Sequence, residues 1–243
     1  MRLVTGTLRR WLRIIWPLAG FTFAAWLWIG FQALPGTPPL RPGRARSEWG
    51  LIFLPGGLVE PRAYGPLLQP LADAGHPVEL VELPWRCACT EAQRAELFDR
   101  IAGVMASRPQ VRWTLAGHSR GAMLAARFVH ERRPPPAALV LIGTTHPRDF
   151  SLAALPLPVW KIYGTRDGVA PLARSESNRH LLPADARWVR IEGGNHTQFG
   201  SYRWQLLDHA AAVSRESQRV AVQRTLLEVF RALRETPSPP RLN

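Results

Sequence analysis

The sequence predicts an α/β domain, in which a mostly parallel central sheet is flanked by helices. From residue 49 onward, short apolar runs rich in β-branched and aromatic residues alternate with helical patterns, as in chains whose parallel strands are joined by helices. A glycine-flanked serine, Ser119, lies directly between one such run and the helical pattern that follows it. An uncharged stretch, residues 14–34, precedes the domain and predicts a transmembrane helix.

The transmembrane prediction rests on length and on flanking charge. Four arginines lie in the basic segment 1–13, and the stretch 14–34 then spans about 30 Å at about 1.5 Å per residue. A cleaved signal peptide, a buried core helix and an amphipathic surface helix are the alternatives. Phe31 occupies a position where signal cleavage needs a small residue, and the stretch is apolar on all sides, which disfavours a surface helix.

Charge next to the span predicts its orientation. The four leading arginines narrowly outweigh Arg41, Arg44 and Arg46, so the N-terminus is expected in the cytoplasm and the domain outside it, in a single-pass membrane protein. Residues 35–48 are rich in proline and arginine and predict an extended linker that contributes nothing to the core.

The predicted domain covers residues 49–235 and is followed by a disordered tail, 236–243. Its expected strands are 51–54, 78–83, 112–116, 138–142, 159–163 and 188–191, and its expected helices are 62–74, 91–107, 121–132, 171–181 and 214–234. Thr90 and Gln93 form a capping box for the second helix. The fifteen residues 144–158 are too few for a helical cap, so the domain is expected to be compact, with an open cleft.

Composition excludes several functional classes. The formal net charge is +13, but only one of the 31 basic residues is a lysine and the arginines form no continuous run, so we expect no nucleic-acid binding. Cys87 and Cys89 are too close in sequence for an easy disulfide, and no second pair completes a zinc site. They are interpreted as loop thiols, and neither a metal nor a cofactor is expected.

The pentapeptide around Ser119 has the form Gly-x-Ser-x-Gly. Between a strand and a helix, this pattern indicates a nucleophile elbow, where glycines allow strand and helix to approach closely and the serine is exposed at the sheet edge. The pentapeptide alone is a weak signal, because glycine and serine also form ordinary turns.

Two later strand ends provide the partners that a serine nucleophile needs. Asp167 follows the strand 159–163, and His196 follows the strand 188–191. Carboxyl ends of parallel strands meet at one sheet edge, and the chain order Ser, Asp, His is the one associated with this elbow. Asp149 is an alternative acid, whereas His180 and His209 lack a position at a strand end.

An oxyanion hole is expected from backbone N–H groups. Gly57 follows the strand 51–54 in a glycine pair and is the preferred first donor, with Leu58 as the alternative. Arg120, directly after the serine, is the second donor. An ordinary glycine turn after the strand is the structural alternative.

Together these segments resemble the α/β-hydrolase superfamily over about residues 49–235 and, more narrowly, its bacterial α/β-hydrolase fold-5 domain group. The similar segments are Pro55-Gly56-Gly57, Gly117 to Gly121, Tyr163 to Gly168, Gly193 to Gly200 and Ser214-Arg215-Glu216. The resemblance implies hydrolysis of an ester or related acyl bond. The chain departs from the common pattern in having Pro-Gly-Gly where many members have His-Gly, and in the arginine at position 120.

The predicted function is thus a membrane-anchored serine hydrolase of carboxylesterase or lipase type. Ser119 is the expected nucleophile, His196 the base and Asp167 the residue that orients the imidazole. The substrate is expected to be a small-molecule or lipid acyl compound. Acyl transfer at the same site and a noncatalytic ligand-binding module on a hydrolase scaffold are the alternatives.

Overall fold

The structure is a computed structural model that describes residues 3–235, with side chains from residue 16 onward. Six strands form one sheet in which every neighbouring pair is parallel, in the order β2-β1-β3-β4-β5-β6. The strands are β1 (Trp49–Leu54), β2 (Val78–Leu80), β3 (Arg112–His118), β4 (Ala138–Ile142), β5 (Val159–Gly164) and β6 (Arg187–Ile191). The predicted parallel sheet is therefore confirmed, and the tail 236–243 lies outside the described residues.

A long helix, α1 (Leu3–Gly30), precedes the sheet. The helices that follow it are α2 (Gly65–Asp73), α3 (Glu91–Ser107), α4 (Arg120–Glu131), α5 (Leu172–Ser177) and α6 (Arg215–Glu235). Apolar side chains of α2 and α6 are buried on one face, and those of α3 and α4 on the other. The Thr90–Gln93 capping box opens α3 as predicted. No helix occurs within residues 143–158, as expected for a domain without a helical cap there.

The N-terminal helix differs from the predicted span 14–34. Helix α1 ends at Gly30, whose carbonyl accepts the Trp204 N–H, and Ala33 forms an isolated bridge with Tyr202. Residues 31–34 therefore belong to the packed domain. Within residues 3–235, no helix combines the length and apolar character that crossing a membrane requires, so the predicted transmembrane helix is not confirmed.

The predicted linker is extended but not free of the domain. The N–H of Arg41 donates to Gln69 Oε1 at 2.8 Å, and the N–H groups of Arg46 and Ser47 both donate to the Gly75 carbonyl. Leu40 packs against the core. The prediction that residues 35–48 contribute nothing to the core is thus wrong, because this segment lies along α2.

A buried lysine supports the loop after β4. Lys161 on β5 is 1% exposed, and its Nζ donates to the His146 carbonyl at 2.7 Å. Burial, and secondarily the charge of Arg148, lowers the pKa of this lysine to about 7. The bond ties residues after β4 to the sheet beside the turn that carries Ser119.

Candidate active site

Ser119 lies on a strained turn between β3 and α4. Its backbone has φ 52° and ψ −115°, and its N–H donates to the Ile142 carbonyl on the neighbouring strand at 2.8 Å. Such a backbone is rare for a residue with a Cβ and recurs at functional sites. A Cβ at Gly117 would collide with the backbone of Gly121, so glycine is required where strand and helix approach.

Asp167 and His196 form a buried pair at the same end of the sheet. His196 Nδ1 lies 2.8 Å from Asp167 Oδ2, and both side chains are fully buried. Asp167 Oδ1 accepts the N–H groups of Val169 and Ala170 at 2.9 and 2.6 Å. Because both carboxylate oxygens are engaged, the aspartate is held in one orientation toward the imidazole.

This pairing determines which ring nitrogen of His196 is free. A carboxylate accepts hydrogen bonds, so Nδ1 carries the proton that it shares with Asp167, and Nε2 of the neutral ring is left with its lone pair. Among the described residues, Nε2 has no hydrogen-bond partner, so the Ser119 hydroxyl does not donate to it in this structure. Hydrogen bonds of this kind are often long or absent without substrate.

The competing candidates lie in other environments. Asp149 forms an ion pair with Arg127 on α4, and His180 Nδ1 donates to the Ser177 carbonyl in a surface segment. His209 is exposed. The structure thus brings Asp167, rather than Asp149, to the imidazole of His196.

The two expected oxyanion donors are neighbours. A Cβ added to Gly57 would lie 3.3 Å from the Arg120 Cβ, and neither the Gly57 nor the Arg120 backbone N–H has an acceptor within the described residues. The Leu58 N–H, in contrast, donates to the Arg86 carbonyl at 2.6 Å. Of the two alternatives in this loop, Gly57 therefore has the unengaged donor.

The Arg120 side chain is hydrogen-bonded to a neighbouring loop. Its guanidinium donates to the carbonyls of Cys87 and Ala88, and burial lowers its pKa. Cys87 and Cys89 are joined in a disulfide, so their interpretation as loop thiols is wrong. A left-handed backbone at Ala88, with φ 49°, accompanies the turn that brings the two cysteines together.

A chain of buried hydrogen bonds joins the loop of Gly56 and Gly57 to the turn that carries Ser119. The Gly56 N–H donates to the Tyr64 hydroxyl at 2.9 Å, and this hydroxyl lies 2.7 Å from His118 Nδ1. Burial raises the pKa of Tyr64, so the hydroxyl keeps its proton. This hydroxyl thus bridges the loop of Gly56 and the turn that carries Ser119.

His118 is kept uncharged beside His196. Its ring centre is 4.5 Å from that of His196, and its pKa is held well below the usual range by burial and then by the charge of His196. The uncharged ring of His118 thus adds no positive charge next to the imidazole of His196. Sequence reasoning identifies neither His118 nor Tyr64 as part of the site, because no local pattern reports a contact between residues 54 apart in sequence.

Asp208 is a further residue of the site that sequence reasoning misses. Its carboxylate accepts the backbone N–H groups of Gly168, His196 and Thr197, at 3.2, 3.1 and 2.7 Å. One side chain thus fixes both the loop after Asp167 and the loop of His196. Nothing in the local sequence around Asp208 indicates this function, since its partners come from two other loops.

Other ligand-binding features are separate from this cluster. Within residues 3–235, no three His, Cys, Asp or Glu side chains are grouped as a metal site would require. A cavity of about 700 Å³ lies at the amino ends of the strands, next to Trp49 and Trp113 at the starts of β1 and β3. Its lining includes none of Ser119, Asp167 and His196.

Solved structures with the same fold include several esterases. Esterase PE8 superposes with a TM-score of 0.53 at 18% identity, covering 81% of this chain and 98% of its own. A serine hydrolase without lid from Xanthomonas campestris superposes with a TM-score of 0.55 at 16% identity, and the match covers 84% of this chain and 89% of the other. Ferulic acid esterase from Streptomyces cinnamoneus superposes with a TM-score of 0.57 at 19% identity, and the match covers 85% of this chain and 70% of the other. At these identities the similarity demonstrates the fold.

Sequence comparison assigns the family. None of the curated proteins compared matches this chain. The model of the alpha/beta hydrolase family matches residues 50–220, which is more than half of the sequence and includes Ser119, Asp167 and His196. The fold, the strand-end positions of these residues and this match agree, and the chain therefore belongs to the alpha/beta hydrolase family.

Proposed function

We propose that this protein is a serine hydrolase that cleaves an ester or related acyl bond. One observation carries the proposal: a buried Asp167–His196 pair with an unbonded Nε2 lies at the same sheet edge as a serine in a strained elbow. The esterase names of structures that share the fold agree with this chemistry. The family match supports hydrolysis in general.

In the proposed reaction, Ser119 Oγ attacks the acyl carbonyl while His196 Nε2 takes its proton. Asp167 keeps the other ring proton on Nδ1 and stabilises the imidazolium. The N–H groups of Gly57 and Arg120 donate to the oxyanion. His196 then delivers its proton to the leaving group as the acyl-enzyme forms, and water, activated by the same nitrogen, releases the acid and regenerates Ser119.

We further propose that α1 attaches the enzyme to a membrane with the catalytic domain outside the cytoplasm. All side chains of residues 16–26 are exposed, and most of them are apolar. The leading arginines favour a cytoplasmic N-terminus, and the Cys87–Cys89 disulfide fits an oxidising compartment.

A series of acyl esters tests the proposed reaction. Purified protein is expected to release the acids of nitrophenyl esters of increasing chain length, with an initial burst of nitrophenol where deacylation is slow. Adding a primary alcohol distinguishes hydrolysis from acyl transfer, since a transferase converts the acyl-enzyme into a new ester. Folded protein that turns over no ester of the series, short or long, would contradict the proposal.

A further inference from the structure

Exposed apolar side chains lie on loops at the same end of the sheet as the candidate active site. Trp85 is 86% exposed, Leu207 is 77% exposed and Leu58 is 41% exposed, and Leu206 is exposed beside Leu207. These four residues, here called the rim, lie on loops that follow strands β1, β2 and β6 at their carboxyl ends. Outside α1, only two other large apolar side chains of the described residues are comparably exposed, Val220 and Leu227 on α6.

Three of the four rim residues have a left-handed backbone. Leu58, Trp85 and Leu207 have φ values of 64°, 52° and 69°, a region that bulky side chains rarely adopt. Such a backbone costs free energy, and these positions cluster at active sites and ligand-binding segments. Three strained loops thus display large apolar groups to solvent, an arrangement that the packing of the domain does not explain.

The rim loops are linked to the candidate catalytic residues. Arg120, next to Ser119, bonds to the loop of Trp85 through the carbonyls of Cys87 and Ala88. The segment of Leu206 and Leu207 leads directly into Asp208, which accepts the His196 N–H. The rim loops are therefore tied to the elements that carry Ser119 and His196.

The rim is continuous with the end of α1. The Arg86 guanidinium stacks on the Trp28 ring at 4.9 Å and donates to Gln32, which connects α1 to the loop of Trp85. On the other side, the Trp204 ring centre is 3.9 Å from that of Trp26. The helix thus leaves the domain between the rim loops, at the same sheet edge as Ser119.

The exposure of α1 favours lipid as the partner of the rim. Every residue from 16 to 26 is exposed, so apolar side chains such as Trp16, Phe21 and Phe23 project on all faces of the helix. A single protein partner covers one face of a helix, whereas lipid surrounds it. Tryptophan and arginine side chains also favour the lipid interface, and the net charge of +13 attracts anionic headgroups.

We propose that the rim rests on the lipid surface, so that the site takes acyl esters of lipids directly from the bilayer. This inference rests on the proposed hydrolase function and names its substrate class as lipid acyl esters. The side chains of Trp85 and Leu207 enter the interface, and Ser119 faces the headgroup region where ester carbonyls lie.

A double variant, Trp85→Asn and Leu207→Asn, tests the proposal in the full-length protein. Asparagine tolerates the left-handed backbone, so both loops keep their conformation. Turnover is measured on nitrophenyl acetate in solution and on a fluorogenic phospholipid ester in vesicles of phosphatidylcholine and phosphatidylglycerol. Leu227→Gln on α6 is the control, because it removes an exposed leucine away from the rim.

The ratio of vesicle turnover to soluble turnover is expected to fall at least about tenfold in the double variant, since two large apolar groups no longer enter the interface. The ratio of the control should equal that of the wild type. If the double variant keeps the wild-type ratio, the lipid-docking proposal alone is overturned. If the double variant also changes its oligomeric state, the rim is instead a contact with a second copy of the chain. A wild-type protein inactive on both esters would overturn the hydrolase function as well.

Discussion

Replacing Ser119 with alanine is expected to reduce kcat on a soluble ester by about 10⁶-fold, to the rate left by binding and oxyanion stabilisation alone. The hydroxyl is the proposed attacking group, and Nε2 of His196 then has no proton to accept. The fold should be unchanged, because alanine has the same Cβ as serine in the strained backbone at φ 52°. Steady-state kinetics and a thermal unfolding curve measure the two effects.

A matched control is Ser177→Ala at the end of α5, where the hydroxyl is exposed and bonds only to the Arg174 carbonyl. This variant should keep the activity of the wild type. Ester turnover near the wild-type rate in folded Ser119→Ala would show that another group performs the attack.

Replacing Asp167 with asparagine is expected to lower kcat by about 10⁴-fold and to leave KM nearly unchanged. The substituted side chain offers His196 an amide of the same shape as the carboxylate. If the NH₂ of this amide faces the ring, Nδ1 becomes the acceptor and the proton moves to Nε2, the nitrogen that must accept the serine proton. An amide also cannot stabilise the imidazolium as the carboxylate does. Steady-state kinetics on a soluble ester separate the two parameters.

The control for this variant is Asp149→Asn, which removes the alternative acid from its ion pair with Arg127. This pair is partly exposed, so its loss should change stability by less than about 1 kcal/mol and leave kcat unaffected. A larger loss of activity in Asp149→Asn than in Asp167→Asn would reassign the acid and contradict the geometry described here.

Much of the fold could be predicted because each element has a local cause. The apolar run 138–142 is the strand β4, and the capping box at Thr90 marks the start of α3. The candidate site could also be predicted from the sequence, since Ser119, Asp167 and His196 each follow a strand, and the carboxyl ends of parallel strands lie together. The alternation of strand and helix patterns along the chain carries this information.

The remaining features depend on contacts between distant segments. Tyr64 reaches His118 from a turn that precedes α2, and Asp208 joins two loops whose approach is set by the whole sheet. The end of α1 differs from the prediction because residues 31–34 suit a membrane span and a packed core equally well. The Cys87–Cys89 pairing required a left-handed backbone at Ala88 that spacing alone does not indicate.

The identity of the nucleophile is tested most directly by locating a covalent adduct. Full-length protein is treated with a fluorophosphonate, which reacts with activated serine hydroxyls, and the modified residue is identified by peptide mass spectrometry. We expect one adduct, on Ser119, which is absent in Ser119→Ala and forms much more slowly in Asp167→Asn. An adduct on a different residue, or folded wild-type protein that remains unmodified, would contradict this expectation.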